Sequence, residues 1–485
     1  MSTIIERTLR GGAGFFLANV ITKGFGFLFI VIASRIFGPA EFGVLALALS
    51  VFGVAQRIAM FGLPNTIQRF FSGSGEDQLD KIYAAVLITA AVGGSVGAAA
   101  LYIGAPLLAS EFVFGNLALQ PVLRVLSIAV AASVIFEVSR AVLQAQERVR
   151  DIVVAESVRS IGKPLVLSLF FIMGVQKATA GGWALAVAFG IGAAVCVPCL
   201  RRLSVRPDWR NLKTSLRKVL VYSGPLLFVG FSYFLAQQAD RLMLGWLSSA
   251  SQVGLYTTTS TLAMIMSTLH GALVSIFMPL ASDAYRQSRH EEVRTAYQFI
   301  ARWMGVANGL CLLIFVGVGG WILHIFGPEY ATPSTYAALV ILSTLYFLGT
   351  WVGPTGALLQ MTDGHRAELF NTAVFVVANI ASNYVLIPRY GLVGAALATF
   401  GSGVLRNVLQ LAQIWRWLEI TPLSSRNLIV GALTLGSVIL AVMIPHDLTR
   451  LVVATASILI IGGYVLVSVT NEEKQALKRL CGQRT

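Results

Sequence analysis

The stretch AESVRSIGKPLVL, residues 155–167, sets Glu156, Arg159 and Lys163 at i, i+3 and i+7. On a helix these positions share one face. An acid and two bases in that register support two kinds of chemistry. One is a buried ion pair, Glu156 with Arg159, that locks a helix to its neighbour. The other is a cationic wall able to hold an anion such as a phosphate. Lys163 precedes Pro164, which frees a backbone carbonyl and can kink the helix. Lys23 is another base inside an apolar run, and neither lysine has an acid in reach along the chain. Glu137 and Arg140 stand at the inner end of the preceding apolar run and could pair with Arg159. Arg57 and Arg406 add further bases, and Asn379 and Asn383 share a helical face. The excess inside the apolar runs is basic, which suits an anionic cargo. Glu137 and Glu156 are the candidate carboxylates for coupling to a cation.

The stretch QQADRLMLGW, residues 237–246, places Asp240 and Arg241 near the end of another apolar run. A charge in lipid costs at least a few kcal/mol. Two roles fit: snorkelling to headgroups or mutual pairing, and a gate or cavity rim shared with Arg35. Asn379 and Asn383 fit contacts to sugar hydroxyls. Thr257 to Thr261, Ser267 and Thr268 admit the same role or hydrogen bonds to their own helix.

Other candidates point away from catalysis. GGSVGAAA (93–100) has no Lys-Ser/Thr of a phosphate loop, so Gly93 and Gly97 are expected to serve helix packing. Cys196 and Cys199 form CVPC, read as small packing residues, and the five histidines have no ligand spacing. No metal, no cofactor and no enzymatic activity are expected.

These side chains need elements that hold them in a membrane. The 485 residues are 56% hydrophobic and 12% charged, whereas soluble domains carry about 25% charged residues. About twenty apolar residues span the hydrocarbon core as a helix. Fourteen such spans are predicted: 15–37, 42–62, 82–108, 118–140, 152–173, 179–200, 219–245, 252–279, 297–323, 334–360, 367–387, 392–415, 427–445 and 450–470. The net charge of +14 sits in alternate connections, most densely in RRLSVRPDWRNLKTSLRK (201–218). That is the positive-inside pattern. It places both termini in the cytoplasm and accounts for the charge without nucleic acid. The first helix is expected to stay uncleaved.

The chain also repeats itself. Arg35 aligns with Arg241, Phe114 with Phe326, Gln144 with Gln360 and Gly182 with Gly394, at offsets of 206, 212, 216 and 212. Gly43 in FGV matches Gly254 in VGLY. Six spans in each copy return the chain to the same side, so the repeats are parallel. The expected organisation is an N-terminal six-helix lobe (1–200), a basic cytoplasmic linker (201–218), a C-terminal six-helix lobe (219–416), two appended spans (427–470) and a cytoplasmic tail (471–485).

IFGPAEFGVLALALSVFGVAQRIAMFGLPNTIQRF (36–70), SGPLLFVGFSYFLAQQADRLMLGWLSSASQVGLY (223–256) and LIPRYGLVGAALATF (386–400) resemble the polysaccharide transporter branch of the multidrug/oligosaccharidyl-lipid/polysaccharide exporter superfamily. The resemblance covers spans one to twelve. It implies an all-α polytopic membrane protein with two lobes in a V around a central cavity, lined by spans one, two, seven and eight. It also implies a bacterial inner-membrane flippase for polyprenyl-pyrophosphate-linked sugars, in which Lys23 and Arg57, with Asp240 and Arg241, line the cavity. Span eight departs from the lipid-II flippases, which carry more cavity arginines than this chain; its one basic side chain is His270. The expected partners are a lipid-linked oligosaccharide, membrane lipids, and a polysaccharide polymerase or glycosyltransferases. Lys23, Arg57, Arg159 and Lys163 would neutralise phosphate. The rival functions are a cation-coupled drug or metabolite antiporter of the same superfamily and a non-transporting scaffold for glycan assembly.

Overall fold

The computed structural model describes residues 2–468 except 72–75, 203–206, 208, 363, 420, 422–423 and 445–446, with side chains from Val20 onward apart from scattered positions. Arg206 of the basic connection and the tail 471–485 lie outside the described residues.

The described residues form α1 (Ser2–Ala59), α2 (Leu63–Phe71), α3 (Glu76–Ala109), α4 (Leu119–Ala145), α5 (Val149–Ile172), α6 (Ala178–Arg201), α7 (Leu212–Leu247), α8 (Ala250–Arg286), α9 (His290–Leu323), α10 (Pro333–Trp351), α11 (Thr355–Met361), α12 (His365–Leu418), α13 (Ser425–Met443) and α14 (Asp447–Ser468). The protein is an all-helical polytopic membrane protein. A helix satisfies its own backbone donors and acceptors, which lipid cannot do. Nine of these helices are long and apolar enough to cross a membrane: α1, α3, α4, α6, α9, α10, α12, α13 and α14. Glu156, Arg159 and Lys163 keep α5 outside that group.

Two of the helices each hold two predicted spans. α1 breaks at Gly38, where φ is +67°, and α12 breaks at Gly391, where φ is +55°. Such values cost an L-residue about 1–2 kcal/mol, and glycine avoids that cost. Pro39 follows the first break and supplies no backbone donor. α2 is a short helix between two predicted spans, and α11 is a short helix that takes up the end of the predicted span 334–360, which breaks after α10.

Contacts divide the chain into two compact units, Met1–Thr258 and Thr259–Thr485. The sequence places the linker at 201–218; the contacts instead keep α7 and the first turns of α8 with α1–α6. In the first unit α4 is the central rod. It packs on α1, α2, α3 and α6 through fully buried Leu123, Leu126, Val130 and Val134. The start of α8 crosses α1 at two glycines. A Cβ on Gly43 would collide with the Ala250 carbonyl, and one on Gly254 with the Pro39 carbonyl. These are the two glycines that the repeat aligns. The Glu41 carboxylate accepts from the Ala178 N–H at 3.0 Å, meeting a free donor at the start of α6.

In the second unit α9 is central and carries α10, α13 and α14. Phe277, Tyr297, Leu358, Leu359 and Ile414 make a core at one end, and the Tyr297 hydroxyl donates to the Val352 carbonyl at 2.6 Å. α13 is stitched to α10 by two hydrogen bonds. Trp351 Nε1 donates to the Asn427 carbonyl at 2.8 Å, and Asn427 Nδ2 donates to the Trp351 carbonyl at 3.0 Å.

Candidate functional site

The first unit gathers its charges where α4, α5 and α6 meet. Arg140 Nη2 lies 2.9 Å from Glu137 Oε2, and Arg140 Nε lies 3.6 Å from Glu156 Oε1. Arg159 donates to Glu156 Oε2 through Nε at 3.1 Å and Nη2 at 2.5 Å. Its guanidinium carbon lies 5.1 Å from the ring centroids of both Phe136 and Phe189. Arg159 is therefore buried between two aromatic faces from neighbouring helices. A buried charge tolerates such a place only when paired, and the ring faces add cation–π attraction.

Lys163 extends this row. Its Nζ lies 5.9 Å from the Phe189 ring centroid. Among the described residues no carboxylate comes within 4.0 Å of it. The network holds two acids, Glu137 and Glu156, against three bases, Arg140, Arg159 and Lys163. Ser160 Oγ meets Thr22 Oγ1 at 3.2 Å, which ties α5 to α1. Lys23 is the next residue on α1 and is exposed on the protein surface.

Arg57 stands at the end of α1, exposed, with its guanidinium carbon 5.4 Å from the Phe234 ring centroid of α7. Nearby, Thr66 and Ser223 hydroxyls meet at 2.7 Å and join α2 to α7. At the other end of α7, Gln238 Oε1 accepts from Arg241 Nη1 at 3.1 Å and from Ser50 Oγ at 3.0 Å. Asp240 accepts from the Tyr256 hydroxyl at 2.5 Å. Arg35 is exposed on α1, three residues before the Gly38 break.

In the second unit Asn379 and Asn383 are buried, not set on an open face. Asn383 Nδ2 donates to Asn379 Oδ1 at 3.1 Å, and Asn379 Nδ2 donates to Thr399 Oγ1 at 3.2 Å. Thr257, Thr258 and Ser267 donate to carbonyls of their own helix at 2.7, 2.9 and 2.6 Å. One carboxylate escaped the sequence argument. Glu368 of α12 is buried, binds Arg406 and accepts from Gln410 Nε2 at 2.7 Å. Among the described residues no three side chains group as a metal site.

The polysaccharide biosynthesis protein family matches residues 8–285, more than half of the chain. The chain belongs to the polysaccharide biosynthesis protein family. This family comprises membrane transporters, flippases of polysaccharide biosynthesis, and not enzymes. The chain is 22% identical to stage V sporulation protein B of Bacillus subtilis over 85% of its own length and 84% of that protein. It is 23% identical to the probable low-salt glycan biosynthesis flippase Agl15 of Haloferax volcanii, over 89% and 88%. Its fold is similar to that of the lipid II flippase MurJ in an inward closed conformation, at a TM-score of 0.71 and 12% identity, covering 92% of this chain and 98% of that one. The likeness to MurJ lies in the helical framework, at 12% identity.

Proposed function

We propose that this chain is a flippase that moves a polyprenyl-pyrophosphate-linked oligosaccharide across the bacterial inner membrane by alternating access. In this proposal fourteen spans form two parallel six-helix lobes in a V around a central cavity, with two further C-terminal helices and both termini in the cytoplasm. The repeat, the alternating basic connections and the family membership support it. The observation that carries it is the basic excess among α1, α4 and α5, where Lys163 has no carboxylate within 4.0 Å among the described residues. The need is physical. Each unpaired hydroxyl costs several kcal/mol in an apolar medium, and an oligosaccharide brings many, along with its pyrophosphate charge. The polyprenyl tail is already soluble in lipid, so only the head requires shelter.

In this mechanism Lys23, Arg57 and Lys163 meet the pyrophosphate. Arg159, spent on Glu156, holds the electrostatic frame behind them. Asn379 and Asn383 are proposed sugar contacts, reached after their mutual hydrogen bond opens. Arg35, Asp240 and Arg241 form the rim. No covalent step is involved. Replacing Lys23 and Lys163 together with Gln is expected to lower surface glycan several-fold at normal protein level. Unchanged glycan would remove both from the mechanism.

A cation-coupled antiporter remains the rival, with Glu137 and Glu156 as its titrating groups. Both are held by arginines, which favours structural service. Changing both to Gln should abolish antiport yet leave glycan transfer largely intact. A non-transporting scaffold that docks a polymerase or glycosyltransferase through residues 427–470 would instead keep its partners bound after transport is lost.

A further inference from the structure

In the second unit a carboxylate and a base meet across α12. Arg406, in the later part of the helix, binds Glu368 Oε1, and its guanidinium carbon lies 5.9 Å from the Phe375 ring centroid.

The geometry around Arg406 is built to hold it still. Glu368 is gripped on its second oxygen by Gln410 Nε2 at 2.7 Å, and Gln410 Oε1 accepts from Thr355 Oγ1 at 2.7 Å. A carboxylate fixed from both sides cannot swing with its arginine, so the arginine is fixed as well. The guanidinium nevertheless keeps unused capacity. It has five N–H donors, and one nitrogen serves Glu368. Nε is buried and meets no acceptor among the described residues. The side chain is 29% exposed. A planar cation with a carboxylate at one side, a ring behind and unmet donors suits an oxyanion. Arg406 lies fifteen residues beyond the Gly391 break, about 22 Å along the helix. Under the topology proposed above, that places it in the inner half of the hydrocarbon core.

We propose that Arg406, fixed by Glu368 and Gln410 against Phe375, is a second anion site, within the second unit, that takes a phosphate or pyrophosphate group. Its ligand class rests on the flippase function proposed above; its geometry does not. The phosphate belongs to a membrane headgroup or to the glycan carrier, and the two sources share this chemistry. Glu368 competes with the bound anion for the guanidinium.

The test uses full-length protein in two settings. Detergent-solubilised protein is titrated with inorganic pyrophosphate by calorimetry. Nanodiscs of phosphatidylglycerol or of phosphatidylcholine are compared for retained lipid by native mass spectrometry. The double variant E368Q/R406Q preserves neutrality and side-chain size, so it guards against misfolding. It is expected to lose at least tenfold in apparent affinity for pyrophosphate or for phosphatidylglycerol. Loss in the first assay assigns a soluble or carrier phosphate, and loss in the second alone assigns the headgroup. E368Q by itself should bind the anion several-fold more tightly, because the competing charge is gone. Wild-type affinity in both assays for the double variant overturns the site. Failure of the flippase function would appear elsewhere, as unchanged glycan in the Lys23 and Lys163 variant.

Discussion

Arg159 shows how a side chain's neighbours decide its work. Its spacing from Glu156 made an ion pair readable in the sequence. The flanking rings of Phe136 and Phe189 could not be read, because they come from α4 and α6 and their approach depends on helix packing. Glu156 neutralises two arginines in this arrangement. Removing one partner of a buried pair costs about 3–5 kcal/mol. Glu156→Ala should therefore lower the melting temperature in detergent markedly, and adding Arg159→Met should restore part of it. Arg57 is the contrasting case. It is exposed, and exposed substitutions usually change stability by no more than about 0.5 kcal/mol. Arg57→Gln should leave the melting curve in place while reducing glycan transfer. A lowered melting temperature would make Arg57 a packing residue.

Helices α1 and α8 meet where the repeat places a glycine in each copy. The matched pair Gly43 and Gly254 was legible as a weak echo in the sequence, but its purpose was not. Only the crossing of the two helices shows that each glycine faces a carbonyl of the other. Overpacking such a contact costs about 1–3 kcal/mol. Gly254→Ala should be destabilising by that order in thermal unfolding, whereas Gly104→Ala, with open space around it, should be neutral. α2 was missed because a nine-residue amphipathic helix, with Leu63, Thr66, Ile67 and Phe71 buried, has no window of span length. The hydropathy pattern that located the long helices is blind to it.

Residues 427–470 read as an appendage in the sequence because they fall outside the repeat. In the folded second unit α13 and α14 are structural. Arg302 of α9 donates to Ser468 of α14 at 2.5 Å, and a Cβ on Gly431 would collide with the Trp351 ring. Deleting residues 427–485 would strip buried Arg302 and Trp351 of these partners. The truncated protein should aggregate or migrate as a broad peak in size-exclusion chromatography. A sharp wild-type profile would return α13 and α14 to the status of an optional docking element. At the same scale, the charge bias predicts that reporter fusions within 201–218 are cytoplasmic.

Composition alone was enough to commit this chain to lipid, because hydrocarbon admits only long apolar segments that close their own hydrogen bonds. Periodicity and repetition are one-dimensional properties, and they predicted long apolar helices, nine of which among the described residues can cross a membrane. Which charges are quenched and which stay available was settled in three dimensions. Arg159 and Lys163 are near neighbours on one helix face, yet one is locked to a carboxylate and the other is not. Coulomb interaction depends on distance through space and on burial, and neither is written in the order of residues along the chain.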